Sequence, residues 1–335
     1  MSARRRLLRL AETWMPRALV RPFYMRHVRL DAAELDGTTF KLASTPEERM
    51  GAFRLVHDNY VRKGLIDHSS SGLKVTPFNV LPTTAVFVAI RGGIVVGTLS
   101  LIEDGPIGLP MDEVFPQETR RVRERGGTLA ELSGYAIHPS VRGRGVSLML
   151  YNLMFRWVWW HRRTQDILIA VHPRVTRFYE VVLMFDRLRA RRSYRHFNNA
   201  PAEALHLDLR GLWQRFSRVY KDKAWGRNAA ESAALVDLYD FFGYAEFPSM
   251  ELPVTPGPGR RTMPPAWSSA EIYEFVRSHP AHFEQLGAHV AATLCDLHPI
   301  LMSLLQPAPR RVASTSAQQR RVLATPSTVR ALPAS

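Results

Sequence analysis

One stretch, residues 129–179, constrains most strongly what this chain can fold into. Leu129 to Ile137 (LAELSGYAI) reads as a strand, bounded by His138-Pro139-Ser140. A basic, glycine-spaced loop comes next, Arg142-Gly143-Arg144-Gly145-Val146-Ser147, and Ser147 to His161 then reads as a helix rich in Leu, Met, Phe and Trp. Asp166 to Val171 (DILIAV) is a second strand, His172-Pro173 ends it, and Val175 to Met184 opens another helix. A strand–loop–helix–strand–helix order predicts helices layered on a sheet.

The loop has its own chemistry. The first N–H groups of a helix have no partner inside the helix, and its N-terminus is partly positive. Glycines at 143 and 145 remove the Cβ atoms that would keep an anion away from those groups, so a phosphate fits there. Arg142 and Arg144 add charge and forked donors. A basic turn between strand and helix is the plainer alternative.

The stretch Arg142–Ser147 resembles the acyl-CoA loop of GNAT acyltransferases, Arg/Gln-x-x-Gly-x-Gly/Ala, with Ser147 where Gly or Ala is usual. Arg177-Phe178-Tyr179-Glu180, followed by Leu183-Met184-Phe185, resembles that family's "FYE…GF" segment. A narrower resemblance spans roughly residues 45–210 and is to the long-chain N-acyl amino acid synthases of the FeeM type, relatives of acyl-homoserine-lactone synthases. It rests on Val96-Gly97-Thr98-Leu99-Ser100-Leu101, on Gly108-Leu109-Pro110-Met111-Asp112-Glu113-Val114-Phe115 and on Ala130-Glu131-Leu132-Ser133, in matching order and spacing. Gly134 stands where the lactone synthases carry Arg, which argues against lactone synthesis.

The resemblance implies an α+β (α/β) fold: a GNAT-like mixed, mostly antiparallel, splayed central sheet flanked by helices, with a helical C-terminal extension. It implies no permanently bound cofactor or metal, and an acyl donor carried on the phosphopantetheine of acyl carrier protein or on coenzyme A. Glu131 is then the catalytic base and Tyr179 the partner of the leaving thiolate. Ser133, Tyr135 and Ile137 border the thioester and its oxyanion, residues 142–147 hold the donor phosphate, and Lys74 or Arg62 supplies the cation for an acceptor carboxylate.

Read from the residues alone, Glu131 lies among Leu129, Ala130 and Leu132. A carboxylate there is costly unless paired, and burial raises its pKa toward the range of a base. The competing reading is an ion pair with one of the many arginines. Strand alternation puts Glu131, Ser133 and Tyr135 on one face. His206, His138 and His172 read as satisfied structural residues.

Composition narrows the partners. The 335 residues include 45 Lys and Arg against 30 Asp and Glu, a formal net charge of +15. That suits an acidic carrier protein, anionic lipid headgroups or nucleic acid. Nucleic acid is not expected, because the Trp residues of Trp157–Arg163 look like a core face, not a stacking platform. One cysteine, Cys295, excludes an internal disulfide and fits a cytoplasmic location. Peripheral contact with a membrane stays open, because Leu7, Leu10 and Trp14 share a helical face in an arginine-rich segment; a frayed basic arm is the alternative.

The expected organisation is a basic N-terminal arm (1–35), the acyltransferase domain (36–210), a helical extension (211–305) and a disordered tail (306–335). Thr45-Pro46-Glu47-Glu48 predicts a capped helix start, and Thr84–Ile90 with Ile94–Ile102 a hairpin turned at Gly92-Gly93. Met111 to Arg125 is expected to be helical and Pro253–Pro265 a linker. The extension could cover the acyl channel, mediate dimerisation or form a separate domain.

Overall fold

The structure, a computed structural model, describes residues 15–25, 28, 30, 35–223, 237–243, 249–251 and 267–305. The leucines and Trp14 of the arm, the Pro253–Pro265 linker and the tail from residue 306 lie outside them.

In chain order the main elements are α1 (Arg17–Met25), β1 (Thr38–Leu42), α2 (Pro46–Arg62), β2 (Ala85–Arg91), β3 (Ile94–Glu103), α3 (Pro116–Arg123), β4 (Leu129–Ile137), α4 (Val146–Arg156), β5 (Asp166–Val171), α5 (Thr176–Val181), β6 (Asp186–Tyr194) and β7 (Ala200–Asp208). The extension adds α6 (Leu212–Tyr220), α7 (Leu238–Gly243), β8 (Met250–Glu251), α8 (Ser269–Ser278), α9 (Ala288–Leu297) and α10 (Met302–Leu305). One eight-stranded sheet runs in the order β6-β7-β5-β4-β3-β2-β1-β8. All neighbours are antiparallel except β4–β5 and β1–β8. This is the mixed, mostly antiparallel α+β sheet that the resemblance implied.

Helices cover both faces of the sheet. On one face α4 buries Tyr151 and Phe155, and the turn after it Trp157, against Phe87, Leu99 and Leu132, and Phe216, Phe241 and Phe242 of the extension join that core. On the other, α2 packs Phe53 and Val56 with Trp267, Phe275 and Leu294 from the rest of the extension. The described parts of the extension therefore share the cores of the sheet.

Local chemistry explains the boundaries. Thr45 accepts from the Glu48 N–H at 3.3 Å and the Glu48 carboxylate accepts from the Thr45 N–H at 3.4 Å, the reciprocal cap expected there. The helix expected over Met111–Arg125 is split into a 3₁₀ turn, Pro110–Glu113, and α3. Pro116 has no N–H to continue a helix but suits the first helical position, so α3 starts there. Beyond α4 the Trp-rich run continues as a π-helical turn, Trp157–Arg162, and Arg162 forks onto the Glu103 carboxylate.

Two irregularities in β4 open the middle of the sheet. Pairing with β5 runs only from Leu129↔Asp166 to Leu132↔Ile169, although β4 continues to Ile137 and β5 to Val171. The two strands splay apart beyond Leu132. On the other edge, Ser100 faces Ser133 and Thr98 faces Ala136, so Leu99 alone spans Gly134 and Tyr135. That is a β-bulge, and Gly134, at φ +57°, takes the left-handed conformation it requires.

Candidate active site

Glu131 sits just before the splay and is 3% exposed. Its Oε2 accepts the Met111 N–H at 2.8 Å. That N–H is presented by the Gly108–Phe115 segment, which is itself anchored: Asp112 accepts from the Leu109 N–H at 2.8 Å and from Arg123 Nη1 at 2.7 Å. Burial pushes the Glu131 carboxyl up to about 8; the Met111 N–H opposes this and the nearby Asp112 charge adds to it. Among the described residues Glu131 forms no ion pair, so the arginine-paired alternative is not what the fold builds.

The bulge at Gly134 changes the expected alternation. An extra residue on β4 reverses the strand's facing, so Tyr135 lies opposite Glu131 and not beside it. Tyr135 stacks on Tyr151 of α4 at 6.0 Å, and its hydroxyl meets Ser147 Oγ at 2.7 Å. Tyr151 in turn shares a 2.8 Å hydrogen bond with Tyr179, hydroxyl to hydroxyl. Burial raises all three phenols, so each stays protonated at neutral pH. Tyr60 of α2 lies close enough to raise the Tyr179 phenol, and its own is pushed up to about 12 by burial and by Glu131. Tyr60 thus senses both groups, the acid on one face of the sheet and the phenol beyond the gap.

Ser133 is half-buried in register with Ser100. Ile137 belongs to a pair whose backbone groups point away from β3: its neighbour His138 donates to Val96 O at 2.8 Å. The Ile137 carbonyl accepts from Asn59 Nδ2 at 2.9 Å, which leaves the Ile137 N–H directed into the splay. Asn59 Oδ1 accepts from Arg142 at 3.1 Å, linking the strand end to the glycine loop.

In that loop Gly143 (φ +77°) and Gly145 (φ +86°) are left-handed, and Gly145 caps α4. The first intrahelical bond is Met149 N–H to Gly145 O, so the N–H groups of Val146 and Ser147 have no partner within the helix. Arg142, Gly143 and Arg144 are exposed, Gly145 and Val146 buried. The Ser147 hydroxyl is turned to Tyr135.

Lys74 is half-buried, and its ammonium lies 5.5 Å from the Phe197 ring centre. Burial lowers its pKa and Glu113 opposes this. Phe197 packs against Tyr60 and Tyr194, whose phenols both feel the Glu131 charge. One aromatic cluster therefore joins Lys74 to the acid. Arg62 is exposed in the last turn of α2.

The family model of FeeM, an N-acyl amino acid synthase, matches residues 51–208. Over these residues the chain is similar to the FeeM family of acyltransferases. The span contains Glu131, the glycine loop, Lys74 and Tyr179. Among solved structures, FeeM from uncultured soil microbes is 27% identical, covering 53% of this chain and 93% of that one at a TM-score of 0.47. BjaI, a CoA-dependent acyl-homoserine lactone synthase solved with SAM and isopentyl-CoA, is 21% identical, covering 54% and 89% at 0.43. The lactone synthase LasI is 14% identical, covering 51% and 90% at 0.38. No curated protein sequence matches the chain.

Sequence reading missed Asn59 and Tyr151. Asn59 was legible in principle, as a polar residue on the apolar face of α2. Asn59→Leu should strand the buried Ile137 carbonyl and cost about 1–3 kcal/mol in urea unfolding; unchanged stability would show that the bond carries no weight. The histidines behave as expected: His206 Nε2 bonds Asp166 at 2.7 Å, and His138 and His172 cap their own turns.

Proposed function

We propose that this acyltransferase moves a long-chain fatty acyl group from a thioester to the α-amine of an amino acid, giving an N-acyl amino acid. The reading is carried by one observation: a buried carboxyl, with no ion-pair partner among the described residues, held by a backbone N–H beside the splayed strands. Such a group is poised to take a proton near neutral pH.

In the proposed reaction the phosphopantetheine arm lies between β4 and β5. Its phosphate rests on the N–H groups at the start of α4, within the Arg142–Ser147 loop. Lys74, rather than the solvent-facing Arg62, holds the acceptor carboxylate. Glu131, directly or through a water, takes a proton from the acceptor ammonium, and the freed amine attacks the thioester carbonyl. The Ile137 N–H donates to the oxyanion. The C–N bond forms, the C–S bond breaks, and the second proton of the attacking nitrogen passes to the departing thiolate through the Tyr179 hydroxyl, which Tyr151 positions and which ends as it began, protonated. Ser133 and Tyr135 border the path, Tyr135 from the α4 side.

The donor in this proposal is acyl carrier protein, with acyl-CoA as its rival. Exposed Arg142, Arg144, Arg189 and Arg191 would steer an acidic carrier. Arg192 is committed elsewhere: it bonds Glu118 at 2.6 Å and lies over Phe115. We expect kcat/KM for a carrier-bound donor to fall about tenfold or more between low and high salt, as charge steering is screened. An unchanged value would count against carrier docking. The reading itself is tested by mass spectrometry of lipid extracts from cells making the wild-type protein or Glu131→Gln. A new N-acyl amino acid that disappears in the variant supports it; lipids unaltered by active wild-type protein oppose it.

A further inference from the structure

Helix α1 packs Val20, Tyr24 and Met25 on the core and yet leaves a second apolar face exposed. A surface helix ordinarily turns its charges to water and its apolar stripe to the core. Here Arg17 faces inward to bond Asp186 at 2.8 Å and approach Glu180 at 3.6 Å, and Arg21 reaches Val181 O at 3.5 Å and lies over the Tyr220 ring. Arg177 of α5 returns a bond to Met15 O. With its cations used as anchors, the helix presents Met15 (40% exposed), Pro16, Ala18, Leu19 (65%), Pro22 and Phe23 (52%) to water. That face carries no polar side chain. Val175, in the turn before α5, is likewise exposed, at 45%.

Cations accompany Val175. Arg174 is exposed beside Val175, and Arg174 and Arg191 both lower the His172 pKa, which places them together. The segment leading into α1 carries Arg4, Arg5, Arg6 and Arg9 among Leu7, Leu8, Leu10 and Trp14. An uncharged apolar face among arginines matches the interface of an anionic bilayer, with rings and leucines at acyl depth and guanidiniums at the phosphates. A second copy of this chain fits less well, because it would bring two sets of arginines together. A carrier recruited by charge would find no cation on the face itself.

We propose that α1 docks the protein on anionic membrane through Met15, Leu19 and Phe23. The docking stands without the reaction; its use, releasing an amphiphilic product directly into lipid, rests on the acyl-transfer reading. The test is flotation of the full chain with phosphatidylcholine vesicles, with and without roughly 30 mol% phosphatidylglycerol. Wild type should float with the anionic vesicles and at least about tenfold less with neutral ones. Leu19→Glu with Phe23→Glu should lose about tenfold or more of the binding, while Tm and turnover of a water-soluble donor stay the same. Glu131→Gln should float like wild type, so failure of the catalytic reading and failure of docking are separable. Three results would overturn the proposal: no flotation, equal flotation of the double variant, or a dimer that the double variant dissociates without any vesicle binding.

Discussion

Replacing Glu131 by Gln is expected to slow acyl transfer by roughly 10²–10⁴ while making the protein more stable in alkali. Both effects come from one cause. The folded state holds this carboxyl at about 8, well above the ordinary value of 4.5, because charging it in a dry site is unfavourable. A group whose pKa is raised on folding contributes its stability in full below its unfolded value. That contribution is lost as pH rises through the folded value, so the window here is pH 4.5 to 8. At about 1.4 kcal/mol per tenfold in ionisation, the charged carboxylate destabilises the fold by on the order of 5 kcal/mol in alkali. Gln is neutral, and its amide oxygen can still accept the Met111 N–H. Thermal unfolding should therefore show a higher Tm for the variant at pH 9 and little difference at pH 4.5. A difference independent of pH would mean that Glu131 is not held neutral by burial.

Tyr179→Phe is the second large change, with kcat expected to fall roughly 10²-fold through loss of a general acid. The phenol's raised pKa keeps its proton at every working pH, so it can hydrogen-bond to a thiolate and relay a proton to it but cannot serve as a base. The variant keeps the ring contacts with Phe178 and Phe185, so the fold should survive. The size of the loss should depend on the leaving group: an aryl thioester, whose thiolate needs no proton, should be turned over almost as fast by Tyr179→Phe as by wild type. An equal loss with both donors would make Tyr179 a structural residue.

Local chemistry made much of this fold readable. The strand–loop–helix unit at 129–179, the cap at Thr45 and Glu48 and the turn at Gly92-Gly93 are each dictated by residues close in the chain, and each stands where expected. Glu131 was legible because a carboxylate among Leu129, Ala130 and Leu132 needs an explanation wherever the strand lies. The facing of Tyr135 was not. Strict alternation predicts it beside Glu131, and the single glycine that breaks alternation, Gly134, is indistinguishable in sequence from an ordinary small residue; only pairing with β3 reveals the bulge. The same holds for β8, a two-residue strand whose pairing with β1 joins distant parts of the chain. The exposed apolar face of α1 was hidden for a related reason: it depends on Arg17 meeting Asp186 and Glu180 and on Arg21 meeting Val181, partners far away in the chain.

The most direct test of a buried acid acting at the mouth of the splayed strands is the pH profile of kcat/KM for the acyl donor, in wild type and in Glu131→Gln. Wild type should lose about tenfold in rate per pH unit below a midpoint near 8, because only the ionised carboxylate can accept the proton. In the variant that limb should disappear, leaving a low rate governed by the acceptor amine alone. A limb that keeps its midpoint in Glu131→Gln would contradict the account.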